Sequence, residues 1–126
     1  MDIENIQEII KKFNDARDWS TPESIKDLLL NMNEEVSEFW TIIKWVDVPT
    51  QQMLLQKHNE EVKDFIGDML YLILKISYQC NINPAEAIKA TMEEYEKRFP
   101  IEKLKKIKHS NPLTGGTDDK EQTRRK

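Results

Sequence analysis

Gly67 is the only glycine before residue 115 in a chain of 126 residues. A hundred residues so nearly free of the commonest turn former cannot be cut into many hairpins, and they favour long helices. The apolar spacing agrees. Ile3, Ile6, Ile9, Ile10 and Phe13 recur at helical intervals after Asp2, a plausible N-cap, predicting a first helix that runs to about Ala16. Thr21-Pro22 predicts the start of a second helix, which continues to about Val46 and is broken by Pro49. A third is predicted from Gln51 or Leu54 to Cys80, and a fourth from the Asn83-Pro84 cap to just before Pro100. The expectation is an all-α bundle of four to five helices in one domain, residues 1–108. Residues 109–126 are polar, punctuated by Pro and Gly and without periodicity, and are predicted to be a flexible tail.

Composition narrows the function classes. The net charge is -4; from Ile101 onward eight Lys or Arg face four Asp or Glu, leaving +4 there and -8 on residues 1–100. A domain that acidic repels phosphate at long range, so a nucleotide needs cations between itself and the protein, and direct nucleic-acid binding is disfavoured. The single Cys80 forms no disulfide within the chain, no charged-then-apolar leader opens the sequence, and no run of eighteen apolar residues occurs. A cytoplasmic protein without a membrane span is expected.

Glu35 is the anomaly in this pattern. It lies in helical register with Leu28, Met32, Phe39 and Ile42, inside the apolar stripe of its helix, where an unpaired carboxylate is costly to bury. Glu38, three residues on, projects from the same face. On the next long helix Glu61, Asp64, Asp68 and Lys75 form a second polar stripe. Two such faces opposed would gather four or five carboxylates and repel each other unless a divalent cation joins them. Hard oxygen donors without paired His or Cys favour Mg²⁺, or Mn²⁺, over zinc. A di-iron centre calls for a Glu-x-x-His pair from each of two helices, and His58 with Glu61 supplies that pattern once and reversed. Glutamates at helical spacing are ordinarily a solvated face, and that reading stays open for Glu34, Glu60 and Glu61.

Five motifs in order give the chain a family likeness: Arg17-Asp18-Trp19, the Glu34-Glu35-x-x-Glu38 box, Trp45 seven residues after Glu38, Gly67-Asp68-Met69-Leu70-Tyr71, and Arg98-Phe99-Pro100. Over Phe13 to Pro100 the chain resembles the MazG-like all-α nucleoside triphosphate pyrophosphohydrolases, especially their small dCTP pyrophosphatase-like branch. The resemblance implies hydrolysis of a nucleoside triphosphate to its monophosphate and pyrophosphate, for sanitation of the nucleotide pool, by a homodimer or homotetramer. It implies Mg²⁺ ligation by Glu35, Glu38 and Asp68; of the catalytic candidates Glu38 and Glu35, Glu38 is the first choice for orienting the attacking water, which is metal-bound or activated by a glutamate. Phe65 stands where the family places a further Glu, so Asp64, or Glu61, is the expected substitute. Thr91 and Tyr95 replace the family's Lys and Asn on the last long helix. Lys75 and Arg98 are candidate phosphate contacts, and Trp19, Trp45 and Tyr71 are candidates for stacking on the base. The competing reading is a non-catalytic helical module that binds nucleotides or a protein partner, the Phe65 departure having removed a metal ligand.

Overall fold

A computed structural model describes residues 1–20 and 24–104. Six helices are present among them: α1 (Ile3–Asp15), α2 (Ile25–Ile43), α3 (Val48–Lys57), α4 (Asn59–Gln79), α5 (Pro84–Arg98) and α6 (Ile101–Leu104), with no strand among the described residues. The all-α expectation holds. The chain divides into two compact units, Met1–Pro84 and Ala85–Lys126. In the first, α4 is central, and α1, α2 and α3 all pack on it. The second carries the rest of α5 and α6, and the tail expected at 109–126 lies outside the described residues.

Local chemistry explains where the helices stop. Asp2 caps α1, its carboxylate accepting from Asn5 N at 2.8 Å. The far end closes in a Schellman turn: Trp19 N donates to Asn14 O at 2.8 Å and Asp18 N to Asp15 O at 3.2 Å, with Asp18 in the left-handed region at φ 55°. Arg17-Asp18-Trp19 is thus a helix terminator as well as a motif. Arg17 folds back, its guanidinium 3.7 Å from the Phe13 ring centroid and donating to Phe13 O at 3.0 Å.

Three helix boundaries differ from expectation. The Thr21-Pro22 start lies outside the described residues, and α2 is described from Ile25, with Ser24 at the N-cap position but making no side-chain cap bond, to Ile43 rather than Val46. Pro49 does not merely end a helix; it occupies the first turn of α3, whose cap is Asp47, accepting from Thr50 N at 2.9 Å. The long third helix is two, α3 and α4, divided at His58 (φ -103°, ψ 36°). His58 N still donates to Leu54 O and Val62 N to His58 O, so one residue bends the chain without interrupting the apolar spacing.

The seam between α1 and α4 is closed by a polar residue. Asn14 is fully buried. Its Oδ1 accepts from the Tyr71 hydroxyl at 2.8 Å, and its Nδ2 donates to the Tyr78 hydroxyl at 2.9 Å. With its carbonyl taken by Trp19 N, Asn14 ties α1, the turn after it and two turns of α4 together. Tyr78 is half-buried within the unit, and Leu74 is buried at 2% exposure. Replacing Asn14 by Ala strips both tyrosine hydroxyls of a partner, and should cost roughly 2 kcal/mol in chemical denaturation; a loss below about 0.5 kcal/mol would remove this residue from the role given to it.

Candidate metal and substrate site

Packing of α2 against α4 brings the two acidic stripes to one groove of about 310 Å³. Glu35 and Glu38 line it from α2, and Glu61, Asp64 and Asp68 from α4, with Phe39, Ile42 and Phe65 between them. All four expected metal ligands therefore share one groove. Phe65 stacks on Phe39 with ring centroids 4.7 Å apart, so the position where a further carboxylate was looked for is apolar groove wall. Asp64 and Glu61 both line the groove; Glu61 also contacts His58 Nδ1 at 3.4 Å in the first turn of α4. Its own backbone N–H and then His58 hold the Glu61 carboxyl below the usual range.

Glu35 behaves as its register demands. Leu28 is buried and Met32, Glu35, Phe39 and Ile42 are half-buried, whereas Glu38, Asp64 and Asp68 are exposed. Burial raises the Glu35 pKa above its ordinary 4.5, the charges of Asp68 and Glu38 raise it further, and hydrogen bonding to the Asp68 carboxyl adds to the shift. The groove is thus a set of carboxylates that repel one another and that a cation would relieve. Among the described residues no three His, Cys, Asp or Glu side chains are already converged as a cage. The donor set suits a hard divalent ion held by a few carboxylates together with ligand oxygens.

Asp68 also lines a second cleft, of about 490 Å³, with Ile9, Ile10, Phe13, Trp19 and Tyr71. Trp19 is half exposed and meets Phe13 edge to face at 5.9 Å. Tyr71 presents its ring there while its hydroxyl is committed to Asn14. Two of the three expected stacking aromatics therefore share a cleft that touches the acidic groove at Asp68. Asn14, which anchors both, carries no motif signal; a polar residue in an amphipathic helix reads as surface, and only its 0% exposure marks it.

The remaining candidates lie elsewhere. Trp45 lines neither cleft; it is 88% exposed, in the left-handed region at φ 63°, with its ring edge-on to Trp40 at 5.8 Å. A bulky residue in that region is strained by about 1–2 kcal/mol. Lys75 also lines neither; it is buried, its Nζ 6.0 Å from the Tyr71 ring centroid. Arg98 belongs to the second unit, where it bonds Glu94 at 3.1 Å and lies over the rings of Tyr95 and Phe99.

Known proteins share this arrangement of chain. No family model matches it. The chain is 22% identical over 101 residues to dCTP pyrophosphatase 1 of Bos taurus and 23% identical to that of Mus musculus, aligning 79% of its own length but only 60% and 59% of theirs. Its fold is similar to that of the crystal structure of a pyrophosphatase from Archaeoglobus fulgidus, with TM-score 0.67 and 31% identity, covering 77% of this chain and 91% of that one. These likenesses show that the chain belongs to the all-α pyrophosphatases, with weak sequence similarity to the dCTP pyrophosphatases of the MazG-like superfamily.

Proposed function

We propose that this protein is a Mg²⁺-dependent nucleoside triphosphate pyrophosphohydrolase, releasing pyrophosphate and the monophosphate from deoxynucleoside triphosphates, cytosine-type or base-modified ones foremost. The observation that carries this is the junction at Asp68, where a groove of five carboxylates meets an aromatic cleft of a size to take a base. Residues 1–108 form the catalytic domain in this reading, residues 109–126 a tail, and the setting is cytoplasmic. No helix among the described residues is long and apolar enough to cross a membrane.

Glu35, Glu38, Asp64 and Asp68 would hold Mg²⁺, or Mn²⁺, which supplies charge neutralisation for the triphosphate and polarisation at phosphorus. Glu38, exposed at the groove, orients the attacking water and accepts its proton. Glu35, pressed toward its neutral form first by burial and then by the charges of Asp68 and Glu38, would be returned to its ionised form as a ligand of the cation. Trp19 and the Tyr71 ring take the base between them, while Asn14 keeps the tyrosine hydroxyl occupied. Trp45 offers a second stacking face, its strained backbone holding the ring out into solvent. Lys75, whose Nζ lies 6.0 Å from the Tyr71 ring centroid, is the cation assigned to phosphate.

A homodimer or homotetramer suits the surface. Leu29, Val36 and Trp40 make one stripe along α2, and Ile66, Leu70 and Ile73 another along α4; each of the six is between 43% and 52% exposed. Apolar stripes of that extent mark interaction surfaces. The non-catalytic alternative draws on Phe65, which fills with an aromatic ring a place where a ligand was looked for.

Incubation with standard and base-modified triphosphates and Mg²⁺ should release pyrophosphate, and Glu38→Gln should lower kcat by about a hundredfold or more. Mg²⁺ uptake by calorimetry without turnover of any triphosphate would favour the non-catalytic module. Light scattering at micromolar concentration should give a multiple of the 15.0 kDa chain mass; a monomer would contradict the oligomer.

The Glu35 shift sets a pH dependence. Because its folded-state pKa lies above 4.5, the folded protein binds more protons than the unfolded one between 4.5 and the raised value, so stability falls as pH rises through that window. Below it, loss of the lowered carboxyls of Asp47 and Glu61 works in the opposite direction. In chelator, melting temperature should rise on acidification toward pH 5. Glu35→Gln should flatten this slope and raise the melting temperature at pH 7; an unchanged slope would mean that Glu35 is an ordinary solvated acid.

A further inference from the structure

Asn14 serves both rings of the aromatic cleft without lining it. Its side chain is fully buried, so a ligand in the cleft does not touch it. The Tyr71 hydroxyl donates to Oδ1 at 2.8 Å, and Nδ2 donates to the Tyr78 hydroxyl at 2.9 Å. Its main-chain carbonyl accepts from Trp19 N at 2.8 Å. Tyr71 and Trp19 line the cleft, whereas Tyr78, about two turns further along α4, does not. The helix pair does not rest on Asn14 alone, since α1 is tied to α4 again where Gln7 Nε2 donates to Leu74 O at 3.4 Å.

The sense of these bonds matters because a carboxamide is not symmetric: Oδ1 only accepts and Nδ2 only donates. The single proton of the Tyr71 hydroxyl is therefore directed at Asn14, away from any ligand. What Tyr71 offers the cleft is its ring. That ring is held at both ends, by the α4 backbone at one and by Asn14 at the other, which leaves it a narrow range of tilt. Freed of the bond it would pivot about its side-chain torsions, and a ligand would have to order it on binding. Trp19 opposite is set independently of Tyr71, by its N–H on the Asn14 carbonyl and by its edge contact with Phe13 at 5.9 Å.

We propose that Asn14 is a positioning residue for this cleft: it holds the Tyr71 ring in place against Trp19, and so sets the affinity for a flat heteroaromatic ring that it never contacts. The role rests on the reading of the cleft as the place of the base. Stacking is tolerant of which base is stacked, and the hydroxyl meets Asn14 rather than the ligand. Loosening Tyr71 therefore weakens every base by a common factor instead of favouring one. It acts on the bound ring and not on the acidic groove, so it raises KM and spares kcat.

The test compares Tyr71→Phe, which removes the hydroxyl and keeps the ring, with Tyr78→Phe, which cuts the other side-chain bond of Asn14 outside the cleft. The full chain is assayed with Mg²⁺ and the standard deoxynucleoside triphosphates, and titrated calorimetrically in chelator with the 5′-monophosphates of deoxyadenosine and deoxycytidine. Tyr71→Phe should raise KM roughly three- to tenfold, by the same factor for each triphosphate, with kcat changed less than about twofold. Tyr78→Phe should lower the melting temperature by a similar amount and leave KM at its wild-type value. Asn14→Ala should reproduce the rise in KM; should that variant not fold, the two tyrosine variants decide alone. An unchanged KM in Tyr71→Phe overturns the proposal, as does an equal rise in Tyr78→Phe, which would make Asn14 a structural residue only. A rise confined to one base overturns it too, since the hydroxyl would then be touching the ligand. Where turnover is measurable KM decides, and turnover indifferent to Tyr71→Phe sinks the positioning role but not the reaction. Without turnover the monophosphates decide: binding weakened by Tyr71→Phe and not by Tyr78→Phe sinks only the reaction, and absence of both turnover and binding sinks both.

Discussion

Like charges held face to face by apolar packing are the constraint on which the first unit depends. Glu35 belongs to the stripe that seats α2 on α4, so the burial that joins the helices also brings its carboxylate against Asp68. The Phe39–Phe65 pair and the buried Leu28 and Leu72 supply the offsetting apolar contact. A chain optimised for stability alone would place leucine at position 35, since a buried charge without a counter-charge works against folding. Every other element of the site is arranged about the far side of Asp68, where α1 and its terminating turn bring the aromatic cleft into contact with the groove.

Phe65 reshapes this arrangement without dissolving it. With its ring on Phe39 the groove gains an apolar wall, and the acids of α4 are displaced to Asp64 and Glu61. Of those, Glu61 is partly committed to His58 and to the start of its helix, which leaves Asp64 the less encumbered donor.

Much of this was legible in the sequence because periodicity records which face is buried. Glu35 was visible as a misfit in an apolar register, and both acidic stripes could be read from spacing alone. What escaped was short-range geometry. The bend at His58 leaves helical spacing intact on both sides, so the pattern reads as one helix. Asp47-Val48-Pro49-Thr50 is a cap signal in its own right, obscured by treating proline as a terminator only. Asn14 escaped for a deeper reason: the burial of a polar side chain depends on what another helix places over it, and no local pattern encodes that.

Asn14 has a consequence for how the aromatic cleft moves. Clefts built on loops ordinarily fluctuate on their own, opening at far less cost than global unfolding. Here the amide of Trp19 and the hydroxyl of Tyr71, from opposite walls of the cleft, are fastened to the same buried residue. The walls cannot part without prising α1 from α4, so the cleft inherits the cooperativity of the helix pair. Its shape is then preorganised before any ligand arrives, and in the proposed reading adaptation to different bases would fall to the exposed side of Trp19 rather than to the backbone that carries it.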